Sequence, residues 1–280
     1  DWVAETMGRV MRETGADGIR LDEYGHRGYA CYDETHKHLY QEPGITQWNK
    51  GVSDACARIH AEMDKVRPDL VLTTEHPGYD YLLRDLEGCI TYDLSSMATP
   101  LRPLECNLQR FYFPECKAYE LDHRSMDKLN RKKFWNTVES FERPFSPVMY
   151  ALLNENEDVY QGRDNTPLVP TLAPFVYANR FAGAGKTMWH LYNATGHTFE
   201  GEVLRVPALP AGAHVIELLT SQELPVVKGV VSLYLDRDDV ACVAILPRVL
   251  QPGANGQVKI ADGKGGQLVL VSAKGETLLT

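Results

Sequence analysis

The chain has 280 residues, 44% of them apolar, enough for a buried core in one large or two moderate domains. Its formal charge of -9, with no long basic segment, argues against a nucleic-acid partner or an anionic membrane surface and leaves a neutral or cationic substrate. No apolar run approaches the roughly 20 residues of a membrane-spanning helix, and no basic-then-apolar leader opens the sequence, so a soluble chain is expected, cytoplasmic or secreted.

The first residues read as a helix. Val3, Met7, Val10 and Met11 recur at helical spacing behind Asp1 as a cap, and Gly15 and Gly18 bracket a turn. A short apolar strand, Gly18-Ile19-Arg20-Leu21, then ends abruptly on Asp22-Glu23-Tyr24-Gly25-His26. Because the chain opens directly on this helix, it is expected to be a piece of a longer protein. The strand of Asp22 is then an uncovered sheet edge, and the piece alone is expected to be poorly soluble or oligomeric and inactive.

Residues 27 to 47 are polar and aromatic without periodicity and predict a long rim loop, a common place for a binding site. Helical spacing resumes at Trp48, Val52, Cys56, Ile59, Met63 and Val66 and stops at Pro68. An apolar strand, Leu70 to Thr74, then ends on Glu75-His76-Pro77-Gly78. The cycle repeats with a short helix over Tyr79 to Leu86 and a strand, Cys89 to Tyr92, ending at Asp93. A fourth strand is predicted at Arg110 to Phe113, stopped by Pro114-Glu115, and a helix at Met126 to Phe141.

Alternating strands and helices predict a parallel sheet with right-handed crossovers. About four such units are visible where a closed barrel needs eight. Beyond a seam at 143 to 175, rich in proline and acids, the pattern becomes short strands separated by Gly, Pro, Asn and Asp: Thr187–Tyr192, His197–Val206, His214–Leu219, Val230–Leu235, Val240–Leu246, Gln257–Ile260 and Gln267–Val271. The fold class expected is therefore α/β plus all-β, with a partial (β/α)8 TIM barrel over 1–174 followed by an antiparallel β-sandwich over 175–280.

Several motifs carry less than they first suggest. The six cysteines show no regular spacing and read as reduced core or loop residues. Gly183-Ala184-Gly185-Lys186-Thr187 lacks the first glycine of a phosphate loop and precedes a strand, so it predicts a hairpin turn. His36-x-His38 in a polar loop reads as solvated, and no cofactor or metal is expected.

In parallel barrels the active site lies where strands end. Asp22, Glu75, Asp93 and Glu115 all fall at such predicted ends. Two carboxylates on neighbouring strands are what glycosidic cleavage requires, one as nucleophile or base and one as proton donor. Arg20, two residues before Asp22 on the same strand face, would hold Asp22 ionised. His26 can donate to a sugar hydroxyl, and Tyr24, Tyr29, Tyr79 and Tyr92 are candidates to pack against pyranose faces.

The run Gly18-x-Arg20-x-Asp22-x-x-x-His26 resembles the fourth-strand motif of the α-amylase type of retaining glycoside hydrolase, and Thr74-Glu75-His76 resembles the segment that carries the acid/base Glu on the fifth strand. The succession of these motifs and a C-terminal sandwich is similar to bacterial barrel glycosidases. The resemblance implies Asp22 as nucleophile, Glu75 as acid/base, an oligosaccharide or glycoside as substrate, and Arg20, Glu23, Tyr24, His26, His76, Tyr92 and Asp93 as substrate contacts. The family's Asn-His-Asp on the seventh strand is absent, leaving Glu115 or the Leu121-Asp122-His123 run as the third acid. A second mapping makes Glu23 the acid/base and Glu115 the nucleophile. A different class also fits: a non-catalytic carbohydrate-binding or structural fragment.

Overall fold

The computed structural model describes residues 1–24, 32–33, 35–37, 45–75, 80–91, 106–120, 127–140, 147–183, 185–246, 250–252, 258–260, 270–271 and 277–279. Helix α1 spans Trp2–Thr14 and buries Ala4, Gly8 and Met11. Asp1 stands at its N-cap position without capping it. Its carboxylate instead takes the Arg58 guanidinium at 2.7 Å, tying the start of α1 to helix α2, Ile45–Asp64. Gly15 ends α1 in the left-handed conformation, φ 66°, with its N–H on the Met11 carbonyl.

Five strands form one parallel sheet: β1 Gly18–Leu21, β2 Val71–Glu75, β3 Gly88–Thr91, β4 Lys117–Glu120 and β5 Glu139–Ser140. Their spatial order follows their chain order, so the crossovers all proceed the same way, without the reversal that marks a doubly wound sheet. Among the described residues β1 is an edge. Gly18 is required there, because a Cβ would lie 2.3 Å from the Val71 carbonyl oxygen.

The register sorts the sheet's side chains into two faces. Leu21, Leu72, Cys89 and Ala118 share a core with α1 residues Ala4 and Met11 and α2 residues Val52, Cys56, Ile59 and Met63. The opposite face carries Arg20 level with Thr73, Gly88 and Lys117, and above them Glu75 level with Ile90 and Tyr119. Gly88 leaves room for the Tyr119 ring, whose Cε2 would stand 2.8 Å from an added Cβ.

Two expectations are corrected here. Arg110 to Phe113 is not a strand; its first three residues fall in the short helix α3, Gln109–Tyr112, and Phe113 is that helix's C-cap. Burial of Arg110 decides this, for its guanidinium stands over the Tyr160 ring, 5.7 Å from its centre, and reaches Glu157 at 3.6 Å. The fourth strand is Lys117–Glu120. Nor does one helix run from Met126 to Phe141: α4 covers Asp127–Trp135 and β5 follows it. Thr137 makes the break, with φ 54°.

Helices α5, Pro147–Glu155, and α6, Glu157–Tyr160, lead into antiparallel structure. A six-stranded sheet takes β6 Thr166–Val169, β7 Val176–Gly183, β8 Lys186–Asn193, β10 His214–Glu217, β11 Gln222–Glu223 and β14 Val240–Leu246, and a three-stranded one takes β9 Phe199–Arg205, β12 Val226–Val227 and β13 Val230–Leu235. Strand β6 was not anticipated: it lies in the proline-rich seam, on the far side of the expected 174/175 boundary from its partner β7. Pro167 is tolerated because β6 is the sheet's edge. The expected hairpin forms, with Gly183 paired to Lys186 and Gly185 at φ 76°. Two short strand pairs, Leu250–Pro252 with Val258–Ile260 and Leu270–Val271 with Thr277–Leu279, follow.

The six-stranded sheet is buried on both sides. Ala178, Trp189, Leu191, Val215 and Val243 pack with Val203, Val231, Leu233 and Leu235 of the three-stranded sheet. On its other side Phe181, Met188, Tyr192, Val240 and Cys242 pack with Phe134 and Trp135 of α4, Leu153 of α5 and Tyr160 of α6. His190 sits in this second layer with no exposure, its Nδ1–H donating to the Phe134 carbonyl at 2.9 Å and its Nε2 accepting from the Tyr160 hydroxyl at 2.8 Å. Burial lowers its pKa to about 4, so the ring is neutral in the fold.

That depression couples stability to pH. The unfolded chain binds the proton near 6.5 and the folded chain only near 4, so the stabilisation is complete above about pH 6.5 and is lost as pH falls toward 4. Across that window His190 is expected to remove about 3 kcal/mol, at about 1.4 kcal/mol per pH unit. Urea melts from pH 7 to 4 on the wild-type chain and His190→Gln check it: the variant, less stable at pH 7, should show the shallower slope, and parallel slopes would refute the assignment.

Candidate active site

The parallel register builds the site. Leu21 is level with Thr74, so Asp22, the next residue, comes level with Glu75 on the adjacent strand, about 4.8 Å away in backbone spacing. Both project from the face opposite the helices. Arg20, two residues before Asp22, reaches both carboxylates, contacting Asp22 Oδ1 and standing 3.4 Å from Glu75 Oε2.

The turn after β1 completes the cluster. Glu23 adopts φ 47°, a conformation uncommon outside glycine, and this directs its backbone N–H to Glu75 Oε2 at 3.3 Å. Beneath, the buried Thr74 hydroxyl donates to the Leu21 carbonyl at 3.2 Å and ties the two strand ends together. Asp22 is exposed and Glu75 buried. A hydrogen bond between the Asp22 and Glu75 carboxyls, and then the Arg20 guanidinium, hold Asp22 below the usual carboxylate range. The arrangement sets an exposed Asp22 carboxylate beside the buried Glu75 side chain of the neighbouring strand.

The other sequence-derived candidates separate into three groups. Glu115 is corrected: it precedes β4, at the amino ends of the strands, where it is exposed and paired with Arg163. The mapping that joins it to Glu23 is therefore not brought together, since Glu23 follows the carboxyl end of β1. Tyr24, expected as a sugar contact, lies on the helix side of the sheet. It packs against the helix-side core and lines a cavity of about 270 Å³ with Ala4, Gly51, Ala55 and Ile59, and burial raises its phenol pKa. His26, His76, Tyr92 and Asp93 lie outside the described residues, as do Tyr29, Tyr79 and the Leu121-Asp122-His123 run.

One residue on the carboxylate face was missed. Tyr119 shares the row of Glu75 by register. The polar alternation of Lys117-Ala118-Tyr119-Glu120 was the signal for it, masked by the more strand-like aromatics just before it. Among the described residues, no three His, Cys, Asp or Glu converge as metal ligands would.

No protein-family model and no curated protein sequence matches the chain. Solved structures do. An Anoxybacillus α-amylase superposes with a TM-score of 0.52 at 12% identity, over 89% of this chain and 63% of that one. The α-amylase of Geobacillus thermoleovorans, complexed with acarbose, gives 0.51 at 14% identity, over 88% and 63%. A GH27 β-L-arabinopyranosidase of Geobacillus stearothermophilus gives 0.52 at 11% identity, over 91% and 62%. The likeness is to glycoside hydrolases. At these identities it is one of fold, and the chain spans under two thirds of the length of the structures just named.

Proposed function

We propose that this chain is the C-terminal portion of a barrel glycoside hydrolase, retaining in mechanism, with Asp22 as nucleophile and Glu75 as acid/base. The observation that carries the reading is the Asp22–Glu75 pair, level on adjacent parallel strands and bridged by Arg20. Five strands wound without reversal fit the fourth to eighth of a (β/α)8 barrel, and the two antiparallel sheets with their shared core fit a sandwich behind it.

In this scheme β4 takes the place of the seventh strand, so the third acid comes from Asp122, directly after it in sequence, and not from Glu115. Asp22 attacks the anomeric carbon as the bond to the leaving oxygen breaks, and Glu75 gives that oxygen its proton. A glycosyl ester on Asp22 results. Glu75, now ionised, takes a proton from water, whose oxygen displaces Asp22 with a second inversion, so configuration is retained overall. Arg20 keeps Asp22 ionised between turnovers. The substrate is an oligosaccharide or glycoside.

One observation favours the non-catalytic reading: Arg20 engages both carboxyls, an ion-pair cluster that a structural strand end can also carry. Asp22 lies past the end of β1 and is exposed, so a bound sugar can reach it. Proton NMR of the full-length protein with a panel of aryl glycosides decides between these. The first-formed sugar is expected to keep the anomeric configuration of the substrate; an inverted first product, or no hydrolysis across the panel, overturns the proposal.

A further inference from the structure

One cavity lined by described residues lies away from the strand ends. It measures about 700 Å³ and lies between the antiparallel sheets and helices α4 and α5, with walls from Arg131, Met149, Gln222, Ser232, Tyr234 and Asp239 among others. That volume falls in the range of small-ligand sites. None of its lining residues belongs to the five-stranded sheet, so it is separate from the Asp22–Glu75 pair.

Its chemistry is that of a site for a neutral polyhydroxylated ligand. Strand β13 alternates, with Leu233 and Leu235 turned into the core and Ser232 and Tyr234 turned out. Tyr234 is 61% exposed, an unusual place for a large aromatic, and its hydroxyl donates to Asp236 Oδ1 at 3.1 Å, which fixes one edge of the ring. A ring held this way offers an apolar face of the size of a pyranose. The same cavity is lined by hydrogen-bonding side chains: Ser232, Gln222 and the Arg131–Asp239 pair.

The acids in the wall are already committed. Glu217 is buried and accepts from the backbone N–H groups of Leu219 at 3.2 Å, Thr220 at 2.8 Å and Cys242 at 2.9 Å, and from the Thr220 hydroxyl at 2.6 Å. Asp239 is taken by Arg131. Opposed charges compensated in this way favour a ligand that exchanges hydroxyl groups for water over an ion.

We propose that this cavity is a second carbohydrate site, which binds a neutral oligosaccharide chain with one pyranose ring stacked on Tyr234. The inference rests on the glycosidase reading for its ligand class. Its consequence is that long substrates are anchored at two places and monoglycosides at one, so effective concentration favours the polymer.

The test uses the full-length protein, fluorescently labelled, on a microarray of neutral glucans, galactans and arabinans. Binding is expected to persist in Asp22→Asn and to fall about tenfold or more with Tyr234→Ala, and likewise with Ser232→Trp, which fills the cavity. Hydrolysis of aryl monoglycosides by Tyr234→Ala should stay at the wild-type level. Absence of any glycan signal, or a signal that survives both Tyr234→Ala and Ser232→Trp, overturns the site. Tyr234-dependent binding in a protein that hydrolyses nothing would instead overturn the catalytic reading and leave this site standing.

Discussion

Replacing Glu75 by Gln is expected to lower kcat by about 10²- to 10⁴-fold on a glycoside with a poor leaving group, the usual contribution of a positioned proton donor. The loss should shrink on dinitrophenyl glycosides, whose leaving oxygen needs no proton. Asp22→Asn should be indifferent to the leaving group, because the amide cannot form the glycosyl ester on which every substrate depends. The contrast separates catalysis from folding. Asp22 is exposed, and the side-chain amide introduced by Glu75→Gln would keep an oxygen to accept the Glu23 N–H, so both variants should melt as the wild type does. Turnover in Asp22→Asn, or an equal loss on both leaving groups in Glu75→Gln, would remove these roles.

The pair was legible in the sequence because its parts are local. Arg20 and Asp22 share a face by strand alternation, and Glu75 ends the next apolar run, so the only long-range fact required was parallel pairing of β1 with β2. Strands β13 and β14 were equally plain, and their observed limits match those expected from the turn residues between them. What stayed hidden depends on tertiary contacts. The aromatics of Arg110-Phe111-Tyr112-Phe113 have high strand propensity, yet Arg110 is drawn into a helix by Glu157 and Tyr160, some 50 residues later. Missing β4 then placed Glu115 at the wrong end of a strand. Helical spacing continued across Thr137 because Phe134 and Val138 are both buried among apolar residues, though they pack into different cores. Nothing in the sequence marks a threonine for a left-handed turn.

Phe134→Ala is expected to destabilise the protein by about 3 to 5 kcal/mol, the usual cost of emptying a buried aromatic site. Phe134 is fully buried at the end of α4, and its ring stacks on His190 at 4.4 Å between centres. Phe181 and Tyr160 stand around the same imidazole, 5.2 and 5.4 Å from it, so the cavity would be lined by rings pinned from three other elements. Such a site cannot collapse to recover the loss. The polar bonds would survive, since His190 binds the backbone carbonyl of residue 134 and not its side chain. Because the layer joins α4, α5 and α6 to the six-stranded sheet, the damage should be shared by the helices and the antiparallel strands. Thermal melts followed by far-ultraviolet and near-ultraviolet dichroism are expected to fall together by about 10 °C. Separation of the two signals would show that tertiary packing is lost before secondary structure, and a shift under about 1 °C would show that Phe134 does not hold the helices to the six-stranded sheet.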